Sequence, residues 1–146
     1  LSTLVELQLG PFVNDQPDLF VLEGDRFLIS QSAAQSFGLI LHEFATNASK
    51  YGAWSRPGGR VHVSWTVNAE DMLVITWTET GKREAVAPTQ SGFGTNLIDF
   101  IVQRSFGGTI EREFRTEGFR ATITVPTDAV AGAPGGEGTR QPAPPT

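Results

Sequence analysis

The spacing of apolar and polar positions changes several times along the chain, and each change marks an element. Leu4, Val5, Leu7 and Leu9 are spaced as a strand. Positions 10–18 carry Pro11, Asn14, Asp15 and Pro17 and read as a loop. Two short apolar runs, 19–22 and 27–29, flank Glu23-Gly24-Asp25-Arg26, which predicts a hairpin. The period then lengthens. Phe37, Ile40, Leu41, Phe44, Ala45 and Ala48 fall on one helical face, with Ser32 as the expected N-cap and Gly52 as the stop. Positions 54–59 form a loop containing Ser55, Pro57, Gly58 and Gly59. Strands are expected over 61–67 and 72–78, joined by Asn68-Ala69-Glu70-Asp71. No firm period holds over 81–94, which reads as a flexible loop. A second helix is expected over 95–106, burying Leu97, Ile98, Ile101 and Val102 and ending at Gly107-Gly108. A last hairpin over 109–115 and 119–125 turns at Thr116-Glu117-Gly118.

That order predicts an α+β sandwich, a mostly antiparallel sheet with helices on one face. From Pro126 onward Pro, Gly, Ala and Thr dominate. Such a segment buries too little surface to offset the entropy of ordering it. A folded domain over 1–127 and a disordered Pro/Gly-rich tail over 128–146 are therefore expected.

Composition narrows the function classes. With 146 residues, 39% hydrophobic and 18% charged, the chain is long enough for one domain with its own core. A net charge of −5 argues against nucleic acid or an anionic membrane as partner. Without cysteine, disulfides and thiolate metal sites are excluded. No apolar run approaches the roughly 20 residues of a membrane span, and no basic-then-apolar signal segment opens the sequence. The cytoplasm is the expected location. Leu1 opens in mid-pattern without a Met, as an excised domain would.

Three constellations carry candidate chemistry. At about 100° per residue, Glu43, Asn47 and Lys50 lie within about 60° of one another on the first helix. A carboxylate, an amide oxygen and an ammonium in line suit a magnesium-bound polyphosphate, since magnesium wants hard oxygen ligands. A plain solvated helix face accounts for the same residues. His42 sits roughly 140° from Asn47, so it reads as a packing or supporting residue rather than a ligand of the same metal. Second, the strand through Trp77 ends in Glu79 and Gly81. A carboxylate there can accept the exocyclic amine of adenine and would repel the carbonyl of guanine. Gly81 would let the backbone pass close to the base. A surface turn after an edge strand, with Trp77 as ordinary core, is the plain alternative. Third, Gly92-Phe93-Gly94-Thr95 leads into the second helix. Free N–H groups at a helix start bind phosphate, and Thr95 can cap the helix and reach a phosphate oxygen. The pattern is neither a Walker loop nor a dinucleotide fingerprint, and glycines serving only a turn would look the same.

Order and spacing together are specific. Leu41-His42-Glu43-Phe44-Ala45-Thr46-Asn47-Ala48-Ser49-Lys50-Tyr51-Gly52-Ala53 resembles the N box of the HWE histidine kinases. That family is named for a His in this box and a Trp-x-Glu in the next, matched here by His42 and by Trp77-Thr78-Glu79. Gly92-Phe93-Gly94-Thr95-Asn96-Leu97-Ile98 resembles the family's G2 box, and the likeness runs from about Leu4 to Pro126. It implies the two-layer GHKL (Bergerat) ATPase fold, shared with gyrase and the heat-shock chaperone ATPases. It implies ATP and Mg2+ as cofactors, with Asn47 on magnesium, Glu43 assisting phosphoryl transfer and Lys50 on phosphate. Tyr51 lies in the same nucleotide-binding box. Glu79 would take adenine with Gly81 beside the base, and Gly92, Gly94 and Thr95 would join a lid to its helix over the phosphates. Two departures stand out: Lys82-Arg83 follows Gly81 where the family usually has Gly and Pro, and Asn96 stands where Arg is more frequent.

The resemblance implies a two-component sensor kinase whose γ-phosphoryl acceptor is a histidine on an upstream dimerisation domain. A response regulator would then receive the phosphate. His42 and His62, the two histidines of this chain, lie in the N box and in a strand, neither on an acceptor helix. A serine kinase of the anti-sigma type on the same fold, and a non-catalytic nucleotide-sensing or docking module, are the alternatives.

Overall fold

The computed structural model describes residues 1–13, 19–55, 57–81, 93–116 and 118–132. Five strands, β1 (Phe20–Gly24), β2 (Arg60–Val67), β3 (Met72–Thr80), β4 (Thr109–Arg115) and β5 (Gly118–Pro126), form one sheet in the order β1-β2-β3-β5-β4. Every neighbouring pair is antiparallel except β1 and β2. Strict alternation drives the central strands: Leu73, Ile75, Trp77 and Glu79 of β3 are buried, while Val74, Thr76 and Thr78 point to the other, more open face. The buried set meets α1 (Ser2–Val13), α2 (Gln31–Lys50) and α3 (Phe93–Phe100) in a single core, in which Phe44 packs on Trp77 with ring centroids 5.2 Å apart. The expected mixed, mostly antiparallel sheet with helices packed against one face is the architecture found.

Several expected elements differ. The segment read as a strand at Leu4–Leu9 is the helix α1, which continues through Gly10 and Pro11 to Val13. Its buried residues, Val5, Leu9 and Val13, recur every four positions, whereas Leu7 is 69% exposed. Burial of that stripe against α2 outweighs the local signals of Gly10 and Pro11. The hairpin expected over 19–29 does not form. β1 instead runs parallel to β2, because α2 crosses over between them, and a parallel pair needs such a crossover. The indole Nε1 of Trp65 donates to the Asp25 carbonyl at 2.6 Å, and Ile29 bridges Ala131 near the far end of the chain.

The cap of α2 is Ser30 rather than Ser32, its Oγ accepting from Ala33 N at 3.2 Å. The second helix starts at Phe93 and passes after Phe100 into a π-helical turn over Ile101–Ser105, closed by Phe106 N–H to Ile101 O at 3.0 Å. Both later hairpins lie where expected, β4 with the expected bounds and the other three strands one or two residues longer. The boundary expected at 127/128 falls inside a further helical turn, α4 (Thr127–Val130). Val130 is fully buried, Ser30 N–H donates to its carbonyl at 2.8 Å, and Gly132 N–H donates to Leu28 O at 2.7 Å. A branched apolar side chain with a place in the core holds this segment down, which composition alone does not reveal. The remainder of the expected tail, 133–146, and the expected loop over 82–92 lie outside the described residues. Among the described residues no helix is long and apolar enough to cross a membrane.

Candidate functional site

Glu79 is the one charged side chain among the described residues that is buried, at 4% exposure. It occupies the penultimate position of β3, two residues after Trp77, so the two side chains share the inner face. Its carboxylate is held at both oxygens. The indole Nε1 of Trp77 donates to Oε2 at 2.8 Å, and the backbone N–H of Ala53 donates to Oε1 at 3.1 Å. Desolvation pushes its pKa above the ordinary 4.5, and the hydrogen bonds from Trp77 and Ala53 pull it back down. Such a group is an oriented acceptor near a strand end, with lone pairs left over for a further donor.

Ala53 reaches Glu79 because α2 ends where it does. Asn47 O accepts Tyr51 N–H at 2.8 Å and Gly52 N–H at 3.0 Å, closing the helix. The chain then turns into a 3-10 turn over Ala53–Ser55, with Ser55 N–H on Gly52 O at 3.0 Å. Glycine is required at two points here. A Cβ on Gly52 would collide with Glu79 Oε1, and one on Gly59 would collide with the Ala53 carbonyl. Asn47 is therefore joined through the backbone of Tyr51-Gly52-Ala53 to the carboxylate of Glu79.

On α2 itself, Asn47 and Lys50 are exposed and Glu43 is half-buried beside them, a polar stripe next to the buried Phe44, Ala45 and Ala48. Tyr51, at the C-cap, is largely exposed. Gly81 is exposed just beyond β3, with the nearest atom to a would-be Cβ being Gly59 Cα at 3.7 Å. Gly94 and Thr95 lie in the first turn of α3, which packs beside α2, while Gly92 lies outside the described residues. His42 is exposed, its ring edge-on to Phe12 of α1 at 5.5 Å and 65°. Phe12 in turn stacks on Trp54, 6.4 Å away at 19°, and Trp54 meets Trp77 edge to face at 6.3 Å and 75°. Ala53, Trp54 and Phe12 are the parts of this site that sequence reasoning does not flag. Ala53 acts through its backbone, and the aromatics fall in stretches read as loops, where no period marks them.

No family model matches the chain. Relatives do. The chain is 36% identical over 130 residues to "Blue-light-activated histidine kinase 1" of Erythrobacter litoralis, covering 86% of this chain and 35% of that protein. It is 30% identical over 132 residues to the "Blue-light-activated histidine kinase" of Brucella anthropi, covering 88% of this chain and 27% of that protein. The chain belongs to the histidine kinases, of the HWE type. Solved structures agree on the fold. The histidine kinase domain of the Erythrobacter litoralis EL346 blue-light activated histidine kinase superposes with a TM-score of 0.70 at 18% identity, over 87% of this chain and 60% of that one. The catalytic domain of histidine kinase ThkA superposes with a TM-score of 0.65 at 15% identity, over 86% of this chain and 92% of that one. This chain thus spans about a third of the length of one of these curated relatives and about a quarter of the other, 35% and 27%.

Proposed function

We propose that this HWE domain binds magnesium-ATP and transfers its γ-phosphoryl group to a histidine on an upstream dimerisation domain of the same kinase, from which an aspartate of a response regulator is phosphorylated in the cytoplasm. The observation that carries the reading is the buried, doubly hydrogen-bonded carboxylate of Glu79, tied through Gly52-Ala53 to the helix end that bears Asn47.

Each residue has a role that its setting supports. Glu79 accepts the exocyclic amine of adenine. The electrostatic preference over guanine is large because the carboxylate is out of water. Gly81, without a side chain, allows close approach of the base. The donor set on α2 is hard oxygen, which fits magnesium, and Asn47 would supply a ligand without adding negative charge. Magnesium would neutralise charge developing on the phosphoryl oxygens. Lys50 adds a cation for the phosphates, and Glu43 would orient a group or accept a proton. Tyr51 borders the nucleotide. Gly92, Gly94 and Thr95 would bind phosphate through free N–H groups at the start of the helix.

Calorimetry with ATP and GTP, each with and without magnesium, tests this directly. ATP should bind in a magnesium-dependent way and GTP far more weakly. Asn47→Ala should abolish the magnesium-dependent part; unchanged ATP turnover in that variant removes the metal assignment. Phosphate transferred to a supplied acceptor domain should be acid-labile, as on histidine, and acid-stable phosphate would point to serine instead.

A further inference from the structure

We infer that Trp54, seated by Phe12 of the N-terminal helix, is the positioning residue that holds both hydrogen-bond donors on Glu79. Its place between the two donors carries the inference. One donor is the N–H of Ala53, the residue directly before Trp54 in the same turn. The other is the indole of Trp77, against whose ring Trp54 packs edge to face at 6.3 Å. Trp54 is itself fixed from three sides. Its Nε1 donates to Leu19 O at 3.0 Å, its ring stacks on Phe12, and Ser55 next to it closes the turn through Oγ to Gly52 O at 2.6 Å. Phe12 is braced in turn by the ring of His42 at 5.5 Å. A chain of four aromatic rings therefore runs from the exposed surface of α2, across α1, to the indole that touches the carboxylate. Each contact in it is a preferred edge-to-face or stacked arrangement.

The physical consequence is specific. The Glu79 carboxylate can accept a base amine at a fixed point only while both of its oxygens stay pinned. Ala53 opens a short 3-10 turn, an element with poor hydrogen-bond geometry and little stability of its own. Side-chain packing must therefore keep it in place, and Trp54 is the side chain that does so. Phe12 sets how deeply Trp54 sits, which makes α1 part of purine recognition through Trp54 rather than through a hydrogen bond of its own to Glu79.

The nucleotide half of this inference rests on the function proposed above; the hydrogen-bond half does not, and the test separates them. In the full chain, amide and indole hydrogen exchange would be followed by NMR in Phe12→Ala, Trp54→Ala and the conservative Phe12→Tyr, alongside ATP and GTP affinity. Phe12→Ala and Trp54→Ala should speed exchange of the Ala53 amide and the Trp77 indole by about tenfold relative to the Ile75 amide in the same strand. They should weaken ATP about tenfold while leaving weak GTP binding nearly unchanged, and Phe12→Tyr should restore both readouts. Folded variants with wild-type protection at Ala53 and Trp77 overturn the inference. So does a uniform loss of protection across β3, which would mean general destabilisation. If the parent domain binds no ATP yet exchange at Ala53 responds as described, the positioning role stands and the nucleotide reading falls.

Discussion

Glu79 is desolvated, yet the proposed chemistry wants it charged. Burial raises its pKa above 4.5, and the hydrogen bonds from Trp77 and Ala53 oppose the rise. Between 4.5 and that raised value the folded chain keeps a proton that the unfolded chain has released. The stabilising contribution of this group is therefore full below 4.5 and is lost as pH rises through the raised value. Adenine affinity should run the opposite way, strengthening as the carboxylate ionises over the same window. In Glu79→Gln both slopes should flatten, and the amide, able to accept at only one end, should leave either Trp77 or Ala53 without an acceptor. The expected cost is about 1–3 kcal/mol in urea unfolding; a variant as stable as the parent would remove the two-donor account. That Trp77 and Glu79 share the inner face is legible from a strand period of two. The sequence alone fits Trp77 both as family signature and as plain core, and the structure gives it both packing on Phe44 and a hydrogen bond to Glu79. The Ala53 donor is not legible, because a backbone N–H carries no residue identity.

Among the elements, those with one strong, uninterrupted period were readable. α2 shows a broad apolar stripe, β3 shows clean alternation, and both lie close to their expected bounds. The misread ones share a physical cause, since burial by a distant partner decided them. Four apolar residues in α1 can be laid out on a strand or a helix, and only the packing of Gln8 against Gly38 and of Phe12 against His42 shows which holds. β1 pairs with β2 across the whole of α2, a choice no local turn signal encodes. α4 is four residues long, and only Val130 gives it a place in the core. Truncation after Pro126 should consequently expose the Val130 site and remove the acceptor of Ser30 N–H at the cap of α2, at a cost of about 2–4 kcal/mol. Truncation after Gly132 should leave the urea midpoint unchanged. If the two truncations behave alike, α4 does not clamp α2, and the boundary expected at 127/128 was the better one.

At the scale of the molecule, the sheet separates the candidate site from the second histidine. Glu79 lies on the helix-covered face of the sheet, whereas His62 lies on the open face, paired with Glu23 across β1 and β2 at 2.9 Å. His42 belongs to the same side as the candidate site, but its ring is turned edge-on to Phe12 rather than presented from an isolated helix. In-line phosphoryl transfer needs an acceptor nitrogen aligned with the γ-phosphate. His62, on the opposite face of a continuous five-stranded sheet, cannot align with a nucleotide held at Glu79 without unfolding it. The domain alone, given magnesium and labelled ATP, should accordingly bind nucleotide and incorporate no acid-labile phosphate. An acceptor domain supplied in trans should become labelled, and His62→Ala should leave that labelling unchanged. Label retained on this chain and lost in His62→Ala would place a phosphoacceptor on the open face. The separation of nucleotide site and acceptor into two domains would then have to be abandoned.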